Sequence, residues 1–589
     1  MRGDESVPTL QSVPFWMLTK NPIFKRYLRS RLRPKALIPW ALLIGIASTF
    51  AFLSIWVSFT NRDHADMMLA GRIILIAMIL IQGFLLMVLG TGSVASGMML
   101  EGEDGGVEYQ RLIPLSPLAK IIGYVFGLPV REYCLFLVTV PFTLLAIYIG
   151  RVPLEGVGSV YAAFFTGVVL YHLSGCVAGT VVNRRFAGRI AQMIVIVLYL
   201  VLPQLAKLGF EFFSYLTIIP VLKELISDLA VPYADDTFNL LFGSGSRTVS
   251  LYGLEVQALP FSLLMQGTLI LTFVIVLYRK WRQPTHHMLG KNFAVCLCLW
   301  IHALLLGSTI PLIDNGEIFP QARNRTIRVA EELQQHAPPG TRVPRIHSRD
   351  RKNPKHAYWL AASYGVGSLV LSCGLVLIIT PTRDEFTKGL RRGRKLGRRR
   401  VPLNADGASA LWHVALIGLV GAGAFAIFSC EMFGSKWFTS RSMGARASQF
   451  SMVELRLVPF SQVLFVLAFW AVLEWGQRRA LLLWALFVWV VPVLGALIFL
   501  LANDERFHEI AISLGSLSAL PSPFYALSYP VDDPRPYMIS ISNAFVRTIA
   551  IYLIIVTYMI VRVKRRHREI VARVEAGDAP PPASREVVG

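Results

Sequence analysis

The sequence predicts an all-α polytopic membrane protein with about 12 transmembrane helices, laid out as two six-helix repeats. Three observations carry that expectation. Apolar residues come in long runs, most of them near the roughly 20 residues that cross a bilayer's hydrocarbon core. Charged residues make up 16% of the chain and mean hydropathy is +0.54, where soluble domains carry roughly 25% charge. Basic residues gather in the short connectors between the runs, where positive charge fixes topology. Helices are the expected spanning form, because backbone amides in lipid must be satisfied within the segment. The short alternating segments of a β-barrel are not seen.

Taken in order, the expected spans of a first unit, 1–290, are 37–59, 71–98, 121–149 (broken near Pro129), 158–182, 190–206 and 258–278. A second unit, 291–575, has 293–312, 357–379, 411–430, 457–475, 480–501 and 540–561. The tail 576–589, with Pro580, Pro581 and Pro582, reads as disordered. The first 36 residues are polar and basic, and the run after them is too long for a signal-peptide core. Lys20, Lys25, Arg26, Arg29, Arg31, Arg33 and Lys35 have no acid among them, which places the N-terminus in the cytoplasm. Counting forward puts Arg184, Arg185 and Arg189 on that side, then Arg279, Lys280, Arg282 and Lys291. The nine basic residues from Arg383 to Arg400, the pair Arg478 and Arg479, and Lys564, Arg565, Arg566 and Arg568 follow. Both termini are then cytoplasmic. The loop 313–356 falls outside despite nine Lys or Arg; it also holds Asp314, Glu317, Glu331, Glu332 and Asp350. The net charge of +22 is therefore read as a topology signal, not as a nucleic-acid surface.

The halves share a layout rather than residue identity. Each opens with a basic segment and an exiting span. A second span returns to a substantial connector, 99–120 or 381–410. Two more spans meet at a short basic turn, Asn183-Arg184-Arg185 or Gln477-Arg478-Arg479. A fifth leads to a longer outer segment with prolines, near 207–257 and 502–539, and a sixth returns. Parallel repeats of this kind occur among transporters, where two similar bundles create an interface for a pathway. The six cysteines, Cys134, Cys176, Cys296, Cys298, Cys373 and Cys430, sit in or beside apolar runs without metal-ligand spacing and are read as inert thiols.

The first connector carries the most chemistry: Glu101-Gly102-Glu103-Asp104-Gly105-Gly106-Val107-Glu108-Tyr109-Gln110-Arg111-Leu112-Ile113-Pro114-Leu115-Ser116-Pro117. Gly105 and Gly106 permit a tight turn. Residues 107–112 allow only a short helix, which Pro114 ends. Ser116 and Pro117 form an N-cap and first-turn pair for the next helix. The result is a small rigid element at the membrane surface, or in the blander reading a capped loop that keeps its acids solvated.

This connector resembles that of ABC exporter permeases of the type-two class, which often reads acid-x-acid-x-Gly, a short helix, then Pro-Leu-Ser. The segment Asn21 to Arg33 is similar to the amphipathic segment ahead of the first span in that class. The resemblance implies a coupling helix that docks on a separate cytoplasmic ABC ATPase subunit. On it, Glu101, Glu103, Asp104, Gly105, Arg111, Leu112 and Pro114 would lie at the contact. The second connector, from Thr380 to Leu390, keeps an acidic pair and a glycine in another order and is more basic. Asp384, Glu385 and Lys388 are its candidate contacts. Members of the class commonly have one six-span unit and dimerise, whereas this chain carries two in the expected layout. The resemblance also implies a bacterial inner membrane, ATP-Mg bound on the partner chain, contact with membrane lipids and room for further membrane subunits.

No Gly-x-x-x-x-Gly-Lys-Ser/Thr phosphate loop is present, so no ATPase and no cofactor is expected in this chain. Leu173-Ser174-Gly175-Cys176 lies in an expected span and reads as helix packing. Gly175 and Gly179, like Gly418, Gly421 and Gly423, suggest close helix approach, and Pro203 and Pro220 suggest kinks. His172 and His302 fall within spans and read as histidines bonded to neighbouring helices, and the adjacent pair His286 and His287 makes a poor chelate. Asp63, His64 and Asp66 form the compact cluster on which a rival reading rests, a polytopic membrane enzyme such as a lipid-linked glycosyltransferase or acyltransferase; otherwise they are a solvated loop.

Overall fold

Each long apolar run is helical in the computed structural model, which describes residues 17–60, 66–181, 186–207, 211–229, 248–283, 286–314, 355–397, 401–434, 452–475, 482, 484–501, 510, 514 and 534–577. Among these, nine helices are long and apolar enough to cross a membrane. The protein is a multi-pass, all-α membrane protein. The chain divides into two compact units, Met1–Met288 and Leu289–Gly589.

The first unit opens with α1, Pro22–Arg31, and α2, Pro34–Thr60. Asn21 caps α1, accepting from the backbone N–H of Ile23 and Phe24, with proline at the first helical position. Helix α3, Met67–Glu103, outruns the expected span at both ends. Its middle, Phe84–Gly90, is a π-helical turn. It stops where Gly105 takes a left-handed φ of +69°. A short helix, α4, Gly106–Leu112, follows. Ser116 then caps α5, Pro117–Gly127, accepting from the Ala119 N–H at 3.2 Å. The break at Pro129 separates α5 from α6, Val130–Gly150. Helices α7, Leu154–Val181, and α8, Ala187–Lys207, complete the central bundle. Gly175 and Gly179 of α7 press on the backbone of α3: a Cβ at either would stand 2.8 Å from the Thr91 carbonyl or 2.5 Å from that of Ala95. Close approach at these two glycines is therefore a fact of the fold.

Past α8, a 3₁₀ turn at Glu211–Leu216 leads into α9, Ile219–Asp228, whose first turn holds Pro220. This proline starts a helix; it does not kink one, because its missing N–H is an orphan in a first turn. An antiparallel hairpin follows, β1 at Thr248–Leu251 and β2 at Leu254–Gln257. Tyr252 and Gly253, both at positive φ, make its two-residue turn. Helix α10, Ala258–Arg282, closes the unit.

The second unit comprises α11, Lys291–Asp314; α12, Lys355–Ile379; α13, Arg383–Lys395; α14, Leu411–Gly434; and α15, Met452–Trp475. A second π-helical turn, Leu486–Val490, precedes α16, Val491–Leu501, and α17, Pro534–Ala576, ends the described chain. Gly421 of α14 lies against Ser368 and Ser372, while nothing stands within 4 Å of a Cβ at Gly423, so close approach there is confined to one face. The basic turns at Arg184 and Arg478, most of the loop 313–356 and the proline-rich tail lie outside the described residues.

Candidate functional site

The connector of the first unit is built against α1, far away in sequence. Glu101 and Glu103 do not lie in a loop: α3 carries them on its last turn, where the helix dipole disfavours anions. Glu101 is buried and compensated. Its carboxylate accepts from the Tyr27 hydroxyl at 2.5 Å and pairs with Arg26 at 2.9 Å. Charge-assisted bonds of this kind are the strong ones, and the Tyr27 bond is the main one here, because Arg26 is half exposed. Burial and the Glu101 carboxylate both push the Tyr27 phenol above its ordinary range. At Arg26 burial is the largest single influence and pulls the other way, but Glu101 and the neighbouring tyrosines together outweigh it, so the guanidinium is held more firmly charged.

Around this bolt the packing is apolar. Tyr27 and Ile23 join Tyr124, Val125, Leu128 and Trp281 in one cluster. Tyr124 stacks on Trp281 with centroids 5.5 Å apart. The Asn21 side chain donates to the Ala119 carbonyl at 2.7 Å. Gly123 and Gly127 let α1 lie directly on α5. The two connector glycines have separate tasks: Gly105 takes the left-handed turn, and Gly106 leaves room for the Glu101 carboxylate, which a Cβ there would meet.

The remaining connector residues face outward. Glu103, Asp104, Gly105 and Pro114 are exposed. Helix α4 presents Tyr109 at 67% and Leu112 at 82% exposure, and Arg111 lies on the same helix. An aromatic and a leucine side by side with acids on a short anchored helix form a surface suited to burial by another protein. Sequence reasoning grouped Glu101 with these residues, yet the structure sets it apart as the anchor behind them. It passed over Tyr109.

The second connector is α13. Thr382 and Glu385 form a reciprocal capping box, so Glu385 is engaged within its own helix while Asp384 and Lys388 are exposed. Phe386 turns inward and stacks on His567 of α17, centroids 4.4 Å apart and planes 20° off parallel. His567 Nε2 in turn lies 3.1 Å from the buried Glu474 of α15. Arg394 donates to the Val574 carbonyl, and Gly389 abuts Gly407 backbone to backbone. Lys291 pins the returning loop by donating to the carbonyls of Ala405 and Ala408, at 2.8 and 2.5 Å.

Within the spans, His172 donates from Nε2 to the Leu86 carbonyl of the π-helical turn at 2.9 Å and accepts at Nδ1 from the Tyr133 hydroxyl at 3.3 Å. Those partners fix its tautomer. His302 lies 2.9 Å from both the Cys298 carbonyl and the Ser368 hydroxyl. Both histidines are bonded to neighbouring groups. Cys296 is exposed and Cys298 buried, as their divergence on one helix requires. Asp66 is the N-cap of α3, accepting from the Leu69 N–H at 2.9 Å; Asp63 and His64 lie outside the described residues. Among the described residues no group of three metal-ligating side chains converges. Glu132 of α6, which the sequence reading did not single out, is 1% exposed and accepts from Ser93 and Arg131, each at 2.7 Å. No family model, curated protein or solved structure matches this chain.

Proposed function

We propose that the chain is the membrane-spanning subunit of an ATP-driven exporter of the type-two ABC class, powered by a separate ATPase that docks on its connectors. The observation that carries this reading is the first connector. A seven-residue helix with exposed Tyr109 and Leu112 follows directly on the last turn of α3, which Glu101 bolts to an N-terminal amphipathic helix. A push on such a helix would reach α3 and, through Glu101, α1. The finer topology belongs to the same reading. About twelve spans form two six-span repeats in a bacterial inner membrane, both termini cytoplasmic. The two helical connectors, α4 and α13, each follow the second span of their unit, and that correspondence supports it. ATP-Mg would be bound and hydrolysed on the partner, this chain making no catalytic contribution.

A gentle-detergent pull-down of the tagged chain, followed by mass spectrometry and an ATPase assay, tests the reading. A phosphate-loop ATPase is expected to copurify. Replacing Glu103, Asp104, Tyr109 and Leu112 by alanine should release it without lowering the thermal midpoint of the permease, because these side chains are exposed. Absence of any ATPase, under conditions that hold a known permease complex together, would sink the proposal. Alanine at Asp63 and Asp66 would then be assayed for loss of enzyme activity.

A further inference from the structure

The second connector is fastened to the last helix of its own unit. Only Thr380, Pro381 and Thr382 separate α12 from α13. Helix α17 runs on past its apolar stretch as a basic extension that carries His567 and Val574. Two contacts tie α13 to that extension: Phe386 stacks on the His567 ring, and Arg394 donates to the Val574 carbonyl. Phe386 to Arg394 covers about 12 Å and His567 to Val574 about 10 Å at 1.5 Å per residue, so the two helices lie side by side and point the same way.

Three elements meet at His567. One face of its ring carries Phe386 of α13, and its Nε2 donates to Oε2 of Glu474 on α15 at 3.1 Å. Both partners are withdrawn from solvent, the carboxylate at 4% and the imidazole at 16% exposure. Glu474 Oε1 has no hydrogen-bond partner among the described residues. A buried carboxylate is costly unless a cation faces it, and the other charges nearby do not replace that cation. Lys291 of α11 acts on Glu474 from a distance, its ammonium being bonded to the Ala405 and Ala408 carbonyls. On α17 itself, Arg566 is half-buried and Arg568 exposed. On α13, Asp384 and Lys388 are exposed and Glu385 is engaged in its capping box. His413 of α14 bonds Asn292.

We propose that His567 is a proton-operated latch on the second connector: as an imidazolium it bonds Glu474 and holds α13, α15 and α17 together, and as a neutral ring it loosens them. Histidine is the side chain whose charge changes between about pH 5 and 8. The imidazolium cancels the buried carboxylate charge and the neutral ring leaves it uncancelled. The latch is therefore closed at the acid end of that range and opens as pH rises through it. Because Phe386 rests on the same ring, a change at the pair reaches the connector directly. The first connector has no such group, since its buried acid is bonded by Tyr27 and Arg26, which keep their charge states over that range. The proposal does not depend on the transport reading.

The test is hydrogen exchange of the full-length protein in lipid nanodiscs, read by mass spectrometry at about pH 5.5 and about pH 8 and corrected for the intrinsic exchange rate. Amides of α13 are expected to exchange about tenfold faster at the higher pH, the equivalent of one pKa unit of pairing, while those of α4 stay level. His567→Gln keeps a donor for Glu474 but cannot titrate, and should flatten the response of α13. Glu474→Gln removes the acid and should flatten it as well, which keeps the test open if the histidine variant fails to fold. Flattening by His413→Gln would place the titration elsewhere and overturn the proposal. So would wild-type exchange in α13 that moves no more than in α4, or a pH response that survives both replacements at the pair.

Discussion

Tyr27 holds the strongest bond to a buried carboxylate, so its hydroxyl is where a one-atom change should be felt. Tyr27→Phe leaves the ring packing on Tyr124 intact but strips the short donor from Glu101. A loss of about 1–3 kcal/mol is expected from the unsatisfied acceptor, read as a lower thermal midpoint and faster proteolysis between α1 and α2. The same hydroxyl gives the dock an alkaline limit. Its folded value is raised above the ordinary tyrosine value of about 10. The stabilisation is therefore complete below about pH 10 and is lost as pH climbs from there toward the folded value. Tyr27→Phe should remove that part of the pH dependence, which a pH series of melting curves would show. None of this was legible from sequence. The acids at 101–104 stood out, but Arg26 and Tyr27 lie more than seventy residues earlier, and nothing local says which acid they choose. Glu132 was hidden for the same reason, its Ser93 partner being on another helix.

At the scale of elements, what was legible was what is locally encoded. The Ser116-Pro117 cap, the stop before Pro114 and the break at Pro129 depend on residues within a turn of one another, and each stands where the sequence puts it. Gly105 belongs with them. Gly105→Ala should cost about 1 kcal/mol for its left-handed φ. As the site is solvent-exposed, the cost should show as a small drop in the melting temperature and, on the proposed function, as weaker capture of the ATPase. Helix α3 outruns the expected span because hydropathy reports only the apolar stretch, and Met99 to Glu103 continue the helix beyond it. The hairpin was missed because two four-residue strands give little signal beside 20-residue runs, and Tyr-Gly is not among the strongest turn pairs. In the second unit, α13 is tied to α17 by an aromatic stack whose partners are 181 positions apart, from Phe386 to His567. A double-mutant cycle on Phe386→Ala and His567→Ala should return an interaction of about 0.5–1.5 kcal/mol; additive effects would mean that the stack holds nothing.

For the molecule as a whole, composition was enough to give the class, because lipid imposes one requirement on every residue of a span. Division into two units follows the contacts of the chain. Expressed together as separate pieces, 1–288 and 289–589 should each insert and show helical circular dichroism with a cooperative melt. Failure of either to survive without covalent linkage would show that the units lean on each other. Function is legible only in proportion to local motif, and here the motif covers some thirty residues of 589.

The π-helical turn at Phe84–Gly90 has a consequence for how this chain tolerates change in length. Each α-helical residue turns the chain by about 100°, so deleting one from the middle of a span swings everything beyond it onto the wrong side. A π turn already stores a surplus residue. Phe84–Gly90 is thus a place where α3 could lose a residue and fall back into plain α-helical register, with both ends still facing as they do now. What opposes that loss is His172, whose ring bonds the Leu86 carbonyl and fills the space a side chain at Gly90 would claim. A one-residue deletion there would have to give up the His172 bond to Leu86 and reseat the ring that now lies against Gly90.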